Sequence, residues 1–385
     1  MAAGAKFSLG VNMRAIQTGC IAGIVFAFLV AWSSVQAQLP PEPQNRQPTG
    51  LRDLVSSKDG LASQDLIFDA SFAQLALVYL KAPDPAILDQ LAKSSAAAHL
   101  LSHARNFDYD VPKDSPAALI SYLLTPPAKH QSETETCQRS LAFFSGSMLN
   151  DPHWVQDTLR YLPDDFHFHG ALFLTFGYDI GVAFGPTASL NCAHPHFKEH
   201  PRELLYYAIH ELHHVGFMSY HPPPKLSDIK TCADLLGLVE YSTQLEGMAV
   251  FAAYQRRSDE HALADDNDYV ALQDEQRMQR DEQSYFDDLN YLKGRGKQPA
   301  DADAWAVIHR MSSGERLWYR VGARMAQRIE QASGRSTLLD LVRKGPSSFL
   351  EAYETLKRPD GNKQDGPSRQ RPILKPTAGL VACCG

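Results

Sequence analysis

No cationic surplus runs through this sequence, no segment repeats, and beyond residue 32 no apolar stretch is long enough to cross a bilayer. The 37 Lys and Arg are outnumbered by 44 Asp and Glu, for a formal net charge of −7. Nucleic-acid binding needs clustered cations facing phosphates, so that class of partner is excluded. Cysteine is sparse, with six in the chain. What remains is ordinary globular material, 44% hydrophobic and 21% charged, enough for one large domain or two smaller ones.

The exception is the start. Lys6 and Arg14 precede an apolar run from Cys20 to Trp32, followed by Ser33, Ser34 and Val35-Gln36-Ala37. A basic n-region, a short h-region and small residues before a cleavage point describe a signal peptide over residues 1–37, cut between Ala37 and Gln38. An uncleaved anchor is the lesser alternative. Cys20 lies ahead of the apolar run, which argues against a lipoprotein anchor. Cleavage removes two basic residues and no acid, so the mature chain carries 35 Lys and Arg against 44 acids. The expected location is periplasmic or secreted, where disulfides form. Cys137, Cys192, Cys232, Cys383 and Cys384 remain. A Cys192–Cys232 bridge is plausible because these residues flank residues 210–214, although sequence does not set the pairing. The vicinal Cys383-Cys384 pair falls in a tail and reads as incidental.

Residues 38–50, with Pro40, Pro41, Pro43 and Pro48, read as a linker. Residues 51–135 form an N-terminal helical region, with segments near Ser71–Leu80, Ala86–Phe107 and Ser115–Leu124, and a polar break from Pro126 to Glu135. The main domain covers 136–357. Within it a short helix ends near Leu162, and the runs 170–176, 180–184 and 187–191 are β-prone, separated by Gly and Pro. A helix then starts at Pro201 and stops at Gly216 and Pro222–Pro224. A second runs from Ser227 to Arg256 with a possible break at Gly237. An acidic, exposed helix covers Ser258–Leu289, and further helices span Ala302–Ser312, Glu315–Ala332, Ser336–Arg343 and Pro346–Thr355. The tail 358–385 is rich in Pro, Gly and polar groups and reads as disordered.

Residues His210-Glu211-Leu212-His213-His214 spell H-E-x-x-H. Two histidines four apart share one face of a helix and can bind one zinc ion, while the glutamate after the first reaches a zinc-bound water. His99 and His103 have the same spacing, but Leu100 replaces the glutamate and no β-prone run precedes them. His213 in place of His214 would spoil the glutamate's offset. A catalytic zinc keeps three protein ligands and one water, so a third ligand is needed. His221 would complete the metzincin pattern H-x-x-G-x-x-H, but Gly216 and His221 are each displaced by one position. Glu240 and Glu246 lie on the next helix and face different ways. Glu240 has Thr243 and Gln244 one turn on. Glu246 has Ala249 and Val250, and a carboxylate buried there needs a cation. Glu246 is the preferred ligand, with pairing to an arginine as its structural alternative. Gly247 and Ala249 are expected to let this helix approach the first closely.

The segment 208–214 followed by Leu245-Glu246-Gly247-Met248-Ala249 resembles the gluzincin zinc metallopeptidases. It is most similar to bacterial families of zinc-dependent peptidases in which E-G-x-A supplies the third ligand. The likeness extends to Trp318–Gly322 and Gly334–Tyr353, covering roughly residues 165–355. It implies a zincin-like fold: α+β, predominantly helical, with a small mixed sheet packed on the H-E-x-x-H helix. It also implies Zn²⁺ as cofactor, a peptide or protein substrate, and Glu211 as general base. Tyr319 is the candidate oxyanion donor, since the family pattern places a tyrosine there and Gly322 one turn later permits a close helix. A core role for Tyr319, or His309 as donor, are the alternatives. Residues 180–190 could offer an edge to an extended peptide. His167 and His169, with His194, His196 and His200, could form a second metal patch, although solvated or core histidines are the simpler reading. Competing functions are an inactive peptidase-like binding protein and a zinc hydrolase of a non-peptide amide. In the latter, Cys192 would be cast as the upstream ligand of a deformylase.

Overall fold

A five-stranded mixed sheet organises an otherwise helical chain. The computed structural model describes residues 49–50 and 65–357. The expected signal segment, nearly all of the linker, residues 51–64 and the tail lie outside the described residues. Strands β1 (Thr49–Gly50), β2 (Asp65–Asp69), β3 (His169–Thr175), β4 (Gly181–Phe184) and β5 (Thr187–Asn191) lie in the order β1-β2-β3-β5-β4. β2, β3 and β5 run parallel to their neighbours among themselves, while β1 and β4 are antiparallel edges.

Between β2 and β3 come α1 (Ser71–Lys81), α2 (Pro85–Ala92), α3 (Ser95–Asn106), α4 (Pro116–Leu124), α5 (Gln131–Phe143) and α6 (Val155–Leu159). After β5 follow α7 (Glu203–Tyr220), α8 (Cys232–Asp259), α9 (Asn267–Gln273) and α10 (Glu275–Arg295). The chain then forms α11 (Ala302–His309), α12 (Leu317–Ser333), α13 (Arg335–Lys344) and α14 (Pro346–Lys357). The protein is therefore α+β and predominantly helical, with its small sheet packed on α7.

Several boundaries differ from expectation, each for a local reason. Ser94 accepts a hydrogen bond from the Ala97 amide and so caps α3, splitting the expected helix 86–107 in two. The polar stretch around Gln131 belongs to α5, whose buried face carries Thr136, Cys137 and Ser140. α7 runs through Gly216, because that glycine is a contact point: a Cβ there would lie 2.3 Å from Leu162. α8 begins at Cys232 behind a Thr231/Asp234 capping box and crosses Gly237 unbroken. The expected acidic helix 258–289 is instead the end of α8, then α9 and α10.

The strand β2 has no counterpart in the expected helical region 51–135. It pairs parallel with β3 in the register Asp65↔His169 to Asp69↔Phe173, and Leu66 and Phe68 are buried in the same core as α7 and α8. The division at residue 135 therefore marks no break in the packing. The disulfide joins Cys137 on α5 to Cys192 just after β5, with Cα atoms 4.4 Å apart, and Cys232 is a buried free thiol. This corrects the Cys192–Cys232 expectation. The Cys192 sulfur is taken by Cys137, while the Cys232 thiol donates to the Pro299 carbonyl at 3.5 Å.

Two helices set the framework for the site. α7 lies across β4 and β5, and α8 packs against both α7 and α12. At the α8–α12 crossing the backbones touch: a Cβ on Gly247 would lie 2.3 Å from the Gly322 carbonyl carbon, and one on Gly322 2.3 Å from the Thr243 oxygen. Gly247 thus serves the approach to α12, not the expected approach to α7. Gly247→Ala should lower unfolding stability by about 3 kcal/mol or more, since the obstructing atoms are backbone and cannot rotate away. A urea midpoint equal to wild type would contradict that contact. Cys137→Ser should cost about 4 kcal/mol on chain-entropy grounds for residues 55 apart in sequence. Equilibrium unfolding with and without reductant measures it.

Candidate metal centre

The register between α7 and α8 places the key side chains. These helices run antiparallel, and a buried ion pair ties them: both Arg257 Nη atoms donate to the Glu203 carboxylate at 2.6 Å, each side chain being 1% exposed. The Arg257 guanidinium is also sandwiched between the rings of Tyr206 and Tyr269, 4.3 Å from each centroid. Eleven residues make about three turns, so residues eleven apart share a face. Counting eleven forward from Glu203 gives His214, and eleven back from Arg257 gives Glu246. The same helix faces that make the ion pair therefore bring Glu246 opposite the histidines.

Glu246 Oε2 lies 3.2 Å from His210 Nε2 and 3.2 Å from His214 Nε2. The two imidazoles stand edge to face, with centroids 4.5 Å apart. Ligating atoms of His210, Glu211 and His214 fall within 4.8 Å of one another. Burial opposes the Glu246 charge, but His214 and the hydrogen bonds with both imidazoles outweigh it and hold the carboxyl well below its ordinary range. Burial likewise opposes charge on His214, and Glu246 overcomes it, raising that imidazole. His210 is lowered by burial and by the charge of its neighbour. Among the described residues Glu246 pairs with no lysine or arginine, so the arginine alternative has no counterpart. The donor set, two imidazole nitrogens and one carboxylate oxygen converging in a half-buried space, is one that fits zinc.

Glu211 is 5% exposed and packs against β4, where a Cβ on Gly181 would lie 2.6 Å from its Oε1. Only a glycine lets the carboxylate come this close to the strand. Burial pushes the Glu211 carboxyl up to about 8, with Glu246 and Asp179 adding to the effect. β4 is the edge of the sheet. The Asn191 amide bonds to the Ile180 carbonyl, so by alternation Val182 and Phe184 also pair with β5, while Gly181 and Ala183 turn their amides and carbonyls outward. Those outward groups make no hydrogen bond among the described residues. Tyr319 borders the same space, its phenol raised by burial and then by the Glu246 charge.

The other candidates fall elsewhere. His213 is buried against the Tyr161 carbonyl at 3.3 Å, and His221 bonds the Val342 carbonyl at 2.7 Å. Glu240 accepts a bond from Ser347 at an exposed position, and His309 is exposed at the end of α11. His99 and His103 are buried on α3, bonded to the Val182 carbonyl and the Tyr178 hydroxyl, with burial lowering both imidazoles. Cys192 is tied up in the disulfide, which removes it as a metal ligand. The proposed histidine patch does not assemble. His169 pairs with Asp65 and His196 with Glu203, and the cluster His196–Glu203–Asp266 is already filled by the Arg257 guanidinium. Sequence reasoning missed Gly181, Asp179 and Arg316, which border the centre. For Gly181 a signal existed, a glycine inside a β-prone run, which marks close approach.

Fold and site together define a helical α+β protein with a dihistidine–carboxylate cluster beneath the edge of a small sheet. Residues 119–360, more than half of the chain, match the family described as "Putative zinc dependent peptidase (DUF5700)", and the chain belongs to that family. No curated protein and no solved structure matches it. Glu246→Ala is expected to abolish zinc retention, and Glu240→Ala to leave it intact. Metal content after dialysis measures both, and the reverse result would move the third ligand to Glu240.

Proposed function

We propose that the protein is an exported zinc peptidase of gluzincin type, with His210, His214 and Glu246 as ligands and Glu211 as general base. The observation that carries this reading is the meeting of three side chains from two helices at 3.2 Å, with Glu211 pressed against the sheet edge beside them. A zinc ion held there supplies Lewis acidity, polarising a carbonyl and acidifying water. Every other step belongs to the chain. Glu211 takes a proton onto its carboxylate from the attacking water and passes it to the leaving amine. Its buried position favours proton uptake, and a nearby cation favours the ionised starting state; both are needed in a base that becomes an acid within one turnover.

The outward amides and carbonyls of Gly181 and Ala183 offer an extended peptide the ladder that β4 lacks on that side. This would lay the scissile bond over Glu211, since Gly181 touches that side chain. Tyr319, on α12 near Glu246, is assigned as the donor to the developing oxyanion. The n-region, apolar run and Val35-Gln36-Ala37 motif support export, as does the Cys137–Cys192 bridge, which forms in oxidising compartments. No helix among the described residues is long and apolar enough to cross a membrane.

The decisive comparison is wild type against Glu211→Gln on a mixed peptide library, with zinc content measured in parallel. Glu211→Gln should retain the metal and lose cleavage by about 10²–10⁴-fold. Equal cleavage by the two proteins would remove Glu211 as base.

A further inference from the structure

Arg316 sits at the start of α12 under two local penalties. Its φ of 55° is in the left-handed region that non-glycine residues rarely occupy. It also brings a cation to the N-terminal end of a helix, where the backbone dipole is already positive. A π-helical turn, Arg310–Gly314, leads into it. A residue kept against both preferences is held for what its side chain does, and its surroundings show where that side chain is fixed. Asp268 Oδ2 accepts from Arg316 Nε at 2.8 Å and lies 2.7 Å from Nη2, while the guanidinium carbon stacks 3.8 Å from the Tyr319 ring centre.

The guanidinium is anchored along one edge only, through Nε and Nη2. Asp268 also receives Arg320 Nε at 2.7 Å, so one carboxylate serves two guanidinium groups, and the next acid, Asp281, is 3.8 Å from Arg320. Arg316 Nη1 has no hydrogen bond or ion pair among the described residues, and the side chain is 39% exposed. Its direction follows from the stack on Tyr319 and the bond to Asp268, not from helix periodicity, since Arg316 precedes the helix. Tyr319 stands one turn before Gly322 on α12, and Gly322 is in backbone contact with Gly247, next to Glu246. The stack thus ties Arg316 to the face of α12 that borders the candidate metal centre. The charge of Arg316 reaches both His210 and Asp179.

We propose that Arg316 is a specificity-determining residue whose free guanidinium edge binds a carboxylate of the substrate beside the bond to be cut. That carboxylate is either an acidic side chain or the C-terminus of the peptide. The inference rests on the peptidase reading for its substrate class, but not for its measurement.

The test uses the full chain carrying Glu211→Gln, loaded with zinc, so that binding is read without turnover. Two pairs of short peptides are titrated by calorimetry: Glu against Gln within a capped sequence, and a free C-terminus against its amide. One of the carboxylate peptides should bind about ten- to a hundredfold more tightly than its neutral partner. Adding Arg316→Asn should erase that preference while sparing the neutral peptides and the zinc content, since asparagine tolerates the left-handed backbone. Which pair shows the preference identifies the source of the carboxylate. Absence of preference in both pairs, or a preference that survives Arg316→Asn, overturns the proposal. If none of the four peptides binds, the peptide reading fails. Arg316 is then judged on glutarate alone, where binding lost in Arg316→Asn supports the proposal and its absence or persistence overturns it.

Discussion

A carboxylate held between two imidazoles inside a helical core has to be aligned by something outside itself. Here that is the buried Arg257–Glu203 pair, three helical turns from Glu246 and His214 respectively. A shift of one residue between α7 and α8 would turn Glu246 through about 100° and leave a charge in an apolar interior. The ion pair would be broken by the same slip, with both its members 1% exposed. Register and site therefore stand or fall together. The stack of Arg257 between Tyr206 and Tyr269 leaves that cation little freedom to find another arrangement.

The second constraint is close backbone approach. Gly247 and Gly322 let α8 and α12 touch, which brings Tyr319 and Arg316 along the wall of the cluster. Gly181 does the equivalent on the strand side, admitting the Glu211 carboxylate against β4. The centre is thus built where two pairs of elements, α8 with α12 and α7 with β4, meet more closely than side chains normally permit. The acid on the strand side and the cation on the helix side face a common space.

Much of the arrangement along α7 and α8 could be read in the sequence. The H-E-x-x-H spacing on one helix, and the apolar neighbours that make Glu246 a buried acid and Glu240 a polar one, are local properties. The structure places Glu246 at the histidines and Glu240 at Ser347. The helical character of the chain and the β-prone runs before α7 were legible for the same reason, since periodicity is a property of neighbours. Less was visible in the N-terminal half. β2 is five residues long and becomes a strand by pairing with β3, a hundred residues further on. Gln131–Glu135 reads as part of a polar break and becomes the start of a helix whose small buried residues Thr136, Cys137 and Ser140 meet the core.

Sequence alone determined that His210 and His214 share one helix face and that Glu246 and Glu240 lie on different ones, because 3.6 residues per turn is an intrinsic property of the backbone. Only the tertiary structure decided which cysteines meet, that Arg257 fills the site between His196, Glu203 and Asp266, and that Asp179, Gly181 and Arg316 border the metal centre. Those are encounters between segments far apart in the chain. Their partners are selected by packing and charge balance across the whole core, and no spacing rule within one segment records them.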